Sequence, residues 1–370
     1  MSILIFIAVI VALIVVHEFG HFVAAKLSGM RVDEFGLGYP PRAATLGKIG
    51  ETEYTLNWLP FGGFVKIYGE DGEGGDPRAF SKRPRILQAI VLVAGVTMNL
   101  LFAYVLITGA LITGTPRALS ESDLATAKGV ELAVANVLPN SPAARAGLLP
   151  ADSLMSAKDA SGTWQPSTSP GTDVSNPKSF STFVAASKGD AITLMVKRGG
   201  QEQSIIATPA TGLIASDPTR YALGVEVATI GVVPLSLGAA LQEGASLTWE
   251  TTVLTAQGLA HFFYGIFTFS ANLSQVAGPV GIAGAVGTAS AQGLGDLFSI
   301  MAIISINLAL INLIPIPALD GGRLLFVLIE GVIRRPIKPS LARAMNTVSF
   351  AFLILLMLVV TAHDIFKIVG

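Results

Sequence analysis

The sequence predicts an α-helical polytopic membrane protein with four transmembrane helices, a membrane-associated β-sheet after the first, and an inserted α/β domain. Three observations carry this. The 370-residue chain is 51% hydrophobic and only 13% charged, with a mean hydropathy of +0.63, whereas a soluble domain carries about 25% charged residues. Residues 3–25, 86–112, 294–316 and 347–368 are each long and apolar enough to span a bilayer core of about 30 Å, which takes roughly 20 helical residues. Between the second and third of these stretches the apolar pattern gives way to short strand-like and turn-rich segments.

The same composition excludes other classes. Apolar residues are too plentiful for a disordered chain. A net charge of −1 offers no basic stripe for nucleic acid. With no cysteine, disulfides, thiolate metal sites and a cysteine nucleophile are all ruled out. The first stretch could pass as a signal peptide cleaved after Val23-Ala24-Ala25, but it has no basic n-region. Lysine and arginine number nine in residues 26–85 and five in 317–345, against nine spread over the much longer 113–293. Short basic loops stay cytoplasmic, so the long segment and both termini are expected outside.

The expected organisation runs in four parts. Residues 1–113 hold the first two spans. Between those spans, 53–58 alternates polar and apolar residues and 64–68 follows after Phe61-Gly62-Gly63, so both read as strands at the membrane boundary. Residues 114–230 form the inserted domain. There, 130–137 has strand character, and 192–196 and 201–207 make a hairpin around Lys197-Arg198-Gly199-Gly200. Ser141, Pro142 and Gly147 mark both ends of a short helix as N-cap, first-turn proline and left-handed C-terminal glycine. Ser141-Pro142-Ala143-Ala144-Arg145-Ala146-Gly147-Leu148 resembles the helix of bacterial PDZ domains, although Ala151 stands where those usually have glycine. One such module is expected, reading peptide ends or acting as a steric cap, with 160–179 as a mobile insertion. Residues 231–290 are expected to carry an amphipathic surface helix over 254–269, and 291–370 the last two spans.

His17-Glu18-Phe19-Gly20-His21 matches His-Glu-x-x-His. Residues four apart share a helix face, so both imidazoles can reach one ion, with Glu18 beside it as a general base. Three ionisable groups inside a membrane helix are costly and mark function. A catalytic zinc needs a third protein ligand. His363 and Asp364 sit at the end of the last span and His261 on the proposed surface helix. Asp320 follows Pro315 and Pro317, which must break the third span, and precedes Gly321-Gly322, which let the chain turn. Irregular backbone at membrane depth is tolerated only when packed in protein.

Together, His17–His21 and Asn312-x-x-Pro315-x-Pro317-x-x-Asp320-Gly321 resemble the site-2 proteases, and the arrangement is similar to the RseP/RasP-type bacterial enzymes. The resemblance implies an intramembrane zinc endopeptidase acting in regulated intramembrane proteolysis at the bacterial cytoplasmic membrane. It assigns Zn2+ to His17, His21 and Asp320 and the base to Glu18. It implies single-span membrane proteins as substrates, namely anti-sigma factors and remnant signal peptides. Asn312, Pro315, Pro317, Gly62 and Gly63 are the candidate substrate-binding residues, with the sheet edge pairing to an unwound substrate. The alternative is a non-catalytic membrane adaptor that recruits partners through its PDZ-like domain.

Overall fold

The computed structural model describes residues 2–70, 75–114, 116–120, 123–124, 127–166, 177–214, 216–268, 277–335, 337 and 339–369. In chain order the elements are α1 (Ser2–Leu27), β1 (Val32–Ile49), β2 (Thr52–Ile67), α2 (Arg85–Thr113), β3 (Pro116–Ala118), β4 (Lys128–Val137), α3 (Pro142–Ala146), β5 (Ser153–Lys158) and β6 (Thr163–Trp164). They continue with α4 (Pro177–Ala186), β7 (Ile192–Arg198), β8 (Gln201–Ala207), β9 (Val225–Val232), α5 (Leu237–Phe267), α6 (Pro279–Gln292), α7 (Leu294–Leu313), α8 (Asp320–Ile333) and α9 (Pro339–Val369). Residues 1–113 and 236–370 form one unit, and 114–235 the other.

In the helical unit, four helices among the described residues are long and apolar enough to cross a membrane: Ile3–Leu27, Arg85–Thr113, Leu294–Leu313 and Ser340–Phe366. Along α1 the buried residues Val9, Leu13, His17, His21 and Ala25 recur every four positions, so one stripe faces the interior. That stripe meets α2 at close range: a Cβ on Gly20 would lie 2.5 Å from the Ala94 carbonyl oxygen. Between α2 and α7, Ala103 and Leu106 share a buried cluster with Ala302 and Ile306, the Ser305 hydroxyl donates to the Asn99 main-chain carbonyl at 2.8 Å, and Gly109 leaves room for Phe298. Small residues let membrane helices approach where lipid supplies no hydrophobic drive between them.

Two expectations about this unit change. Residues 254–267 of the expected interfacial segment belong to the 31-residue α5, whose first half packs on α2, while 269 lies outside the described residues. Gly244 leaves room for Thr108, and the Tyr104 hydroxyl donates to the Leu241 carbonyl at 3.2 Å. The third span ends at Leu313 rather than 316, and Gly321-Gly322 lie within the first turn of a further helix, α8, instead of bending the chain. Their lack of side chains serves contact: a Cβ on Gly321 would overlap the Leu313 carbonyl, and one on Gly322 the Ile316 carbonyl. Asp364, weighed as a ligand, accepts from the Gly281 amide at 2.8 Å and so ties α9 to the first turn of α6.

The sheet also differs from two short strands. Residues 53–58 and 64–68 fall almost wholly in one strand, β2, whose partner β1 was not anticipated. Both are bent. Glu34, Phe35, Gly36 and Leu37 lie opposite Lys66, Val65, Phe64 and Gly63 on one side and Glu53, Tyr54, Thr55 and Leu56 on the other. The second half of β1 pairs with the first half of β2, from Arg42↔Asn57 to Ile49↔Thr52. Four strand legs therefore lie side by side, with the 63–67 leg at one edge. Gly62, at φ +101°, takes the left-handed conformation that glycine favours.

The second unit has sheet order β3-β9-β4-β5-β7-β8, with β6 on β5. Its core gathers Leu132, Val134, Leu154, Ile192, Leu194, Val196 and Leu223 against Phe180 and Val184 of α4. Ser141 caps α3 by accepting from the Ala144 amide, and Gly147 closes it at φ +85°. The β7–β8 turn is tighter than expected, Gly199-Gly200, both with positive φ. The expected boundary at 230 cuts through β9. Of the expected mobile insertion 160–179, residues 167–176 lie outside the described residues, while the rest contributes β6 and the start of α4.

Asp152 is buried beside Arg198, whose guanidinium donates to its two oxygens at 2.7 and 2.6 Å, while the Leu149 amide donates at 2.9 Å. Burial alone would raise the Asp152 pKa, but the Arg198 and Leu149 bonds outweigh it and hold the carboxyl below its ordinary value. A depressed carboxylate stabilises the fold above its unfolded pKa of about 3.9 and ceases to do so as pH falls through the folded value. Asp152→Asn is therefore expected to destabilise this unit by about 2 kcal/mol at neutral pH. The deficit should vanish in acid, as read by limited proteolysis of the full chain between about pH 7 and 2.

Candidate active site

His17 and His21 project from the stripe of α1 that faces α2, at 4% and 7% exposure. Their ring centroids are 4.8 Å apart and their planes nearly perpendicular. Asp320 arrives from the N-terminus of α8. Its Oδ2 lies 2.8 Å from His17 Nε2 and 3.1 Å from His21 Nε2, and the two Nε2 atoms are 3.1 Å apart. What brings Asp320 there is the break after α7: Ile314 leaves the helix at ψ 138°, and the 314–319 chain crosses beneath Gly321 and Gly322.

The ring orientations are fixed from behind. His21 Nδ1 donates to the Val91 carbonyl at 2.8 Å, which turns Nε2 toward His17 and Asp320. The two Nε2 atoms and the Asp320 oxygen thus converge at about 3 Å, close enough to share one ion. Two imidazoles and one carboxylate also form the three-ligand donor set of a catalytic zinc, with a position left for water or substrate. These residues fit zinc. Among the described residues, this is the group of three or more histidine, cysteine or acidic side chains placed to share an ion.

Glu18 follows His17 on the same helix. Its Oε2 accepts from the Val65 amide at 3.1 Å, so the outer leg of the sheet touches the carboxylate. Gly62 and Gly63 lie against α1: a Cβ on Gly62 would come within 2.9 Å of Ile14, and one on Gly63 within 3.9 Å of Glu18 Cγ. Asn312 Nδ2, near the end of α7, is 3.5 Å from His17 Nε2. Pro315 and Pro317 shape the loop under α8, where the Pro317 Cα would meet a Cβ on Gly322. His261 is exposed.

Three residues of α2 at the site were not anticipated. Besides Val91, Asn99 is fully buried with its amide 3.2 Å from His17 Nδ1. Gly95 sits between them: a Cβ there would fall 2.5 Å from His21 Nε2 and 2.7 Å from His17 Cε1. Asn99 carried a signal that could have been read, since an amide in the middle of an apolar span is costly.

A His-Glu-x-x-His helix completed by a distant aspartate, set among membrane-spanning helices, defines a zinc metalloprotease of the membrane. The chain belongs to peptidase family M50, the site-2 protease family, whose model matches residues 5–356. A Clostridium perfringens protein named as a zinc metalloprotease is 35% identical over 356 residues, covering 96% of this chain and 95% of that one. The chloroplastic membrane metalloprotease ARASP of Arabidopsis thaliana is 32% identical over 90% of this chain and 71% of its own. The zinc metalloprotease RasP of Shouchella clausii is 27% identical over 99% of each. The adaptor alternative falls with the family.

Gly95→Ala is expected to push both imidazoles from their places and strip the metal. Zinc analysis of the detergent-purified variant, compared with the unaltered protein at equal monodispersity, checks this.

Proposed function

We propose that this metalloprotease is an intramembrane endopeptidase that cuts single-span membrane proteins at their transmembrane segments. The observation that carries the reading is depth. His17 lies ten residues before the end of α1 at Leu27, about 15 Å along the helix axis at 1.5 Å per residue, with α2 and α7 packed around it. Bound between His17, His21 and Asp320, zinc would polarise a carbonyl and lower the pKa of a water toward about 7. Glu18 takes the proton of the attacking water on its carboxylate and returns it to the leaving amine nitrogen. The Asn312 amide, beside His17, can hold an extended substrate backbone.

A transmembrane helix hides its peptide bonds in internal hydrogen bonds, so it must open before attack. The sheet offers a template. Among the described residues, the 63–67 leg pairs with β1 alone, and its outer edge faces Glu18. A substrate strand added there would bring its backbone beside the base. Leu46, Ile49 and Trp58 are 60–72% exposed on the same sheet, which suits a sheet resting in the membrane boundary.

The 114–230 domain reads as PDZ-like and extracytoplasmic, with both termini on that side. Its α4 and the start of β9 flank a cavity of about 270 Å3 lined by Phe180, Val184, Tyr221, Leu223 and Val225. Among the described residues, β3 pairs with Ile230, Gly231 and Val232 of β9 and the Leu119 amide donates to the Thr229 carbonyl, so the 225–228 edge beside this cavity can accept a peptide. By family resemblance the substrates are anti-sigma factors already trimmed outside the membrane and remnant signal peptides, cut in regulated intramembrane proteolysis at the bacterial cytoplasmic membrane.

Detergent-purified protein incubated with a model single-span substrate should cut it within the apolar segment. Glu18→Gln should lower kcat at least 1,000-fold (~4 kcal/mol) while remaining folded and zinc-loaded. Cleavage by Glu18→Gln at the unaltered rate would refute the base assignment. Cleavage confined to water-exposed loops would refute the intramembrane reading.

A further inference from the structure

Both proposed zinc histidines take their hydrogen-bond and steric surroundings from one face of one neighbouring helix. Val91, Gly95 and Asn99 are spaced by four, so they form a single stripe of α2. Val91 offers a backbone carbonyl to His21 Nδ1, Gly95 offers the space both rings occupy, and Asn99 offers a carboxamide to His17 Nδ1. Asn99 is itself anchored. It is 0% exposed, and its own carbonyl accepts from the buried Ser305 hydroxyl of α7 at 2.8 Å.

We propose that this α2 stripe is the positioning element of the metal site, and that Asn99 is the side chain that orients His17 and fixes which ring nitrogen carries the proton. The inference rests on the reading of His17 and His21 as zinc ligands. For His17 to bind through Nε2, which faces His21 and Asp320, its Nδ1 must carry hydrogen and needs an acceptor. Asn99 Oδ1 is a buried oxygen without a hydrogen-bond partner. The two ends of a carboxamide are nearly interchangeable in shape, so Oδ1 turned to the ring accepts from Nδ1–H. Ring nitrogens on the far side of metal-bound histidines habitually donate to a carbonyl or carboxylate, and loss of that partner weakens metal affinity about 10–100-fold. The two imidazoles thus use different acceptors for the same end: a main-chain carbonyl that no mutation removes, and a side chain that mutation can.

The test is zinc affinity of the full-length protein in detergent, measured by competition with a chromophoric chelator, together with the visible spectrum of the cobalt-substituted protein. Asn99→Leu and Asn99→Ala should lower zinc affinity about 10–100-fold and alter the cobalt ligand-field bands. Asn99→Asp, which restores an acceptor in place, should hold affinity near that of the unaltered chain. Equal losses in all three variants would mean that Asn99 serves only packing, and unchanged affinity in Asn99→Leu would remove any role; either overturns the proposal. His17→Ala run alongside separates the two levels: if that variant keeps full affinity, the ligand assignment itself fails.

Discussion

Within this protein, three polar atoms are held about 3 Å apart in surroundings where none of them is welcome alone. Two buried imidazole nitrogens and a half-buried carboxylate oxygen meet among apolar helices, where polar groups are costly unless they share partners. A shared cation would satisfy all three, and much of the helical unit can be understood as the frame for that meeting. The four-residue stripe on α1, the small residues between α1, α2 and α7, and the glycines at the head of α8 all bring backbones closer than ordinary side chains would allow. Gly95 shows the tolerance most plainly, since a single methyl group there would occupy the volume of the rings.

The meeting of these side chains was legible in the sequence because most of it is local. His17, Glu18 and His21 lie within five residues, and helical periodicity alone puts both imidazoles on one face. Asp320 was legible through its neighbours, since two prolines must end a helix wherever they fall. The role given to Gly321 and Gly322 was not, because glycine marks both turns and close approaches and only the partner backbone tells which. Val91 and Asn99 escaped for a related reason: a helix face has no meaning until the helix it meets is known. The sheet shows the same limit, since alternation marks β2 residue by residue but nothing local announces that β1 would bend and be flanked on both sides by its partner. The spans were found to within a few residues except at their broken or extended ends, because hydropathy measures a bulk property that packing does not alter.

The sheet and the metal site are coupled through a contact made by the main chain. The amide of Val65 belongs to the outermost strand leg, and the carboxylate it touches is the one proposed to move the proton. A single short bond therefore joins the surface that can align a substrate to the group that can act on it. Charged pairs reinforce the frame from the far side: Arg323 of α8 bonds Glu70 beyond β2, and Arg85 at the head of α2 meets Glu330 of α8 at 2.8 Å. The helix that delivers Asp320 is in this way tied both to the sheet and to the helix behind the imidazoles.

The separation of 303 residues between His17 and Asp320 also has a bearing on how the chain is made. At about 5–20 residues per second, a ribosome needs roughly 15–60 s to go from the first histidine codon to that of the aspartate. For all that time the early helices carry only two of the three side chains proposed to hold the metal. With the proposed ligand set, an unfinished copy is thereby harmless to its neighbours, because hydrolytic power would be conferred only once residue 320 of the 370 has been translated.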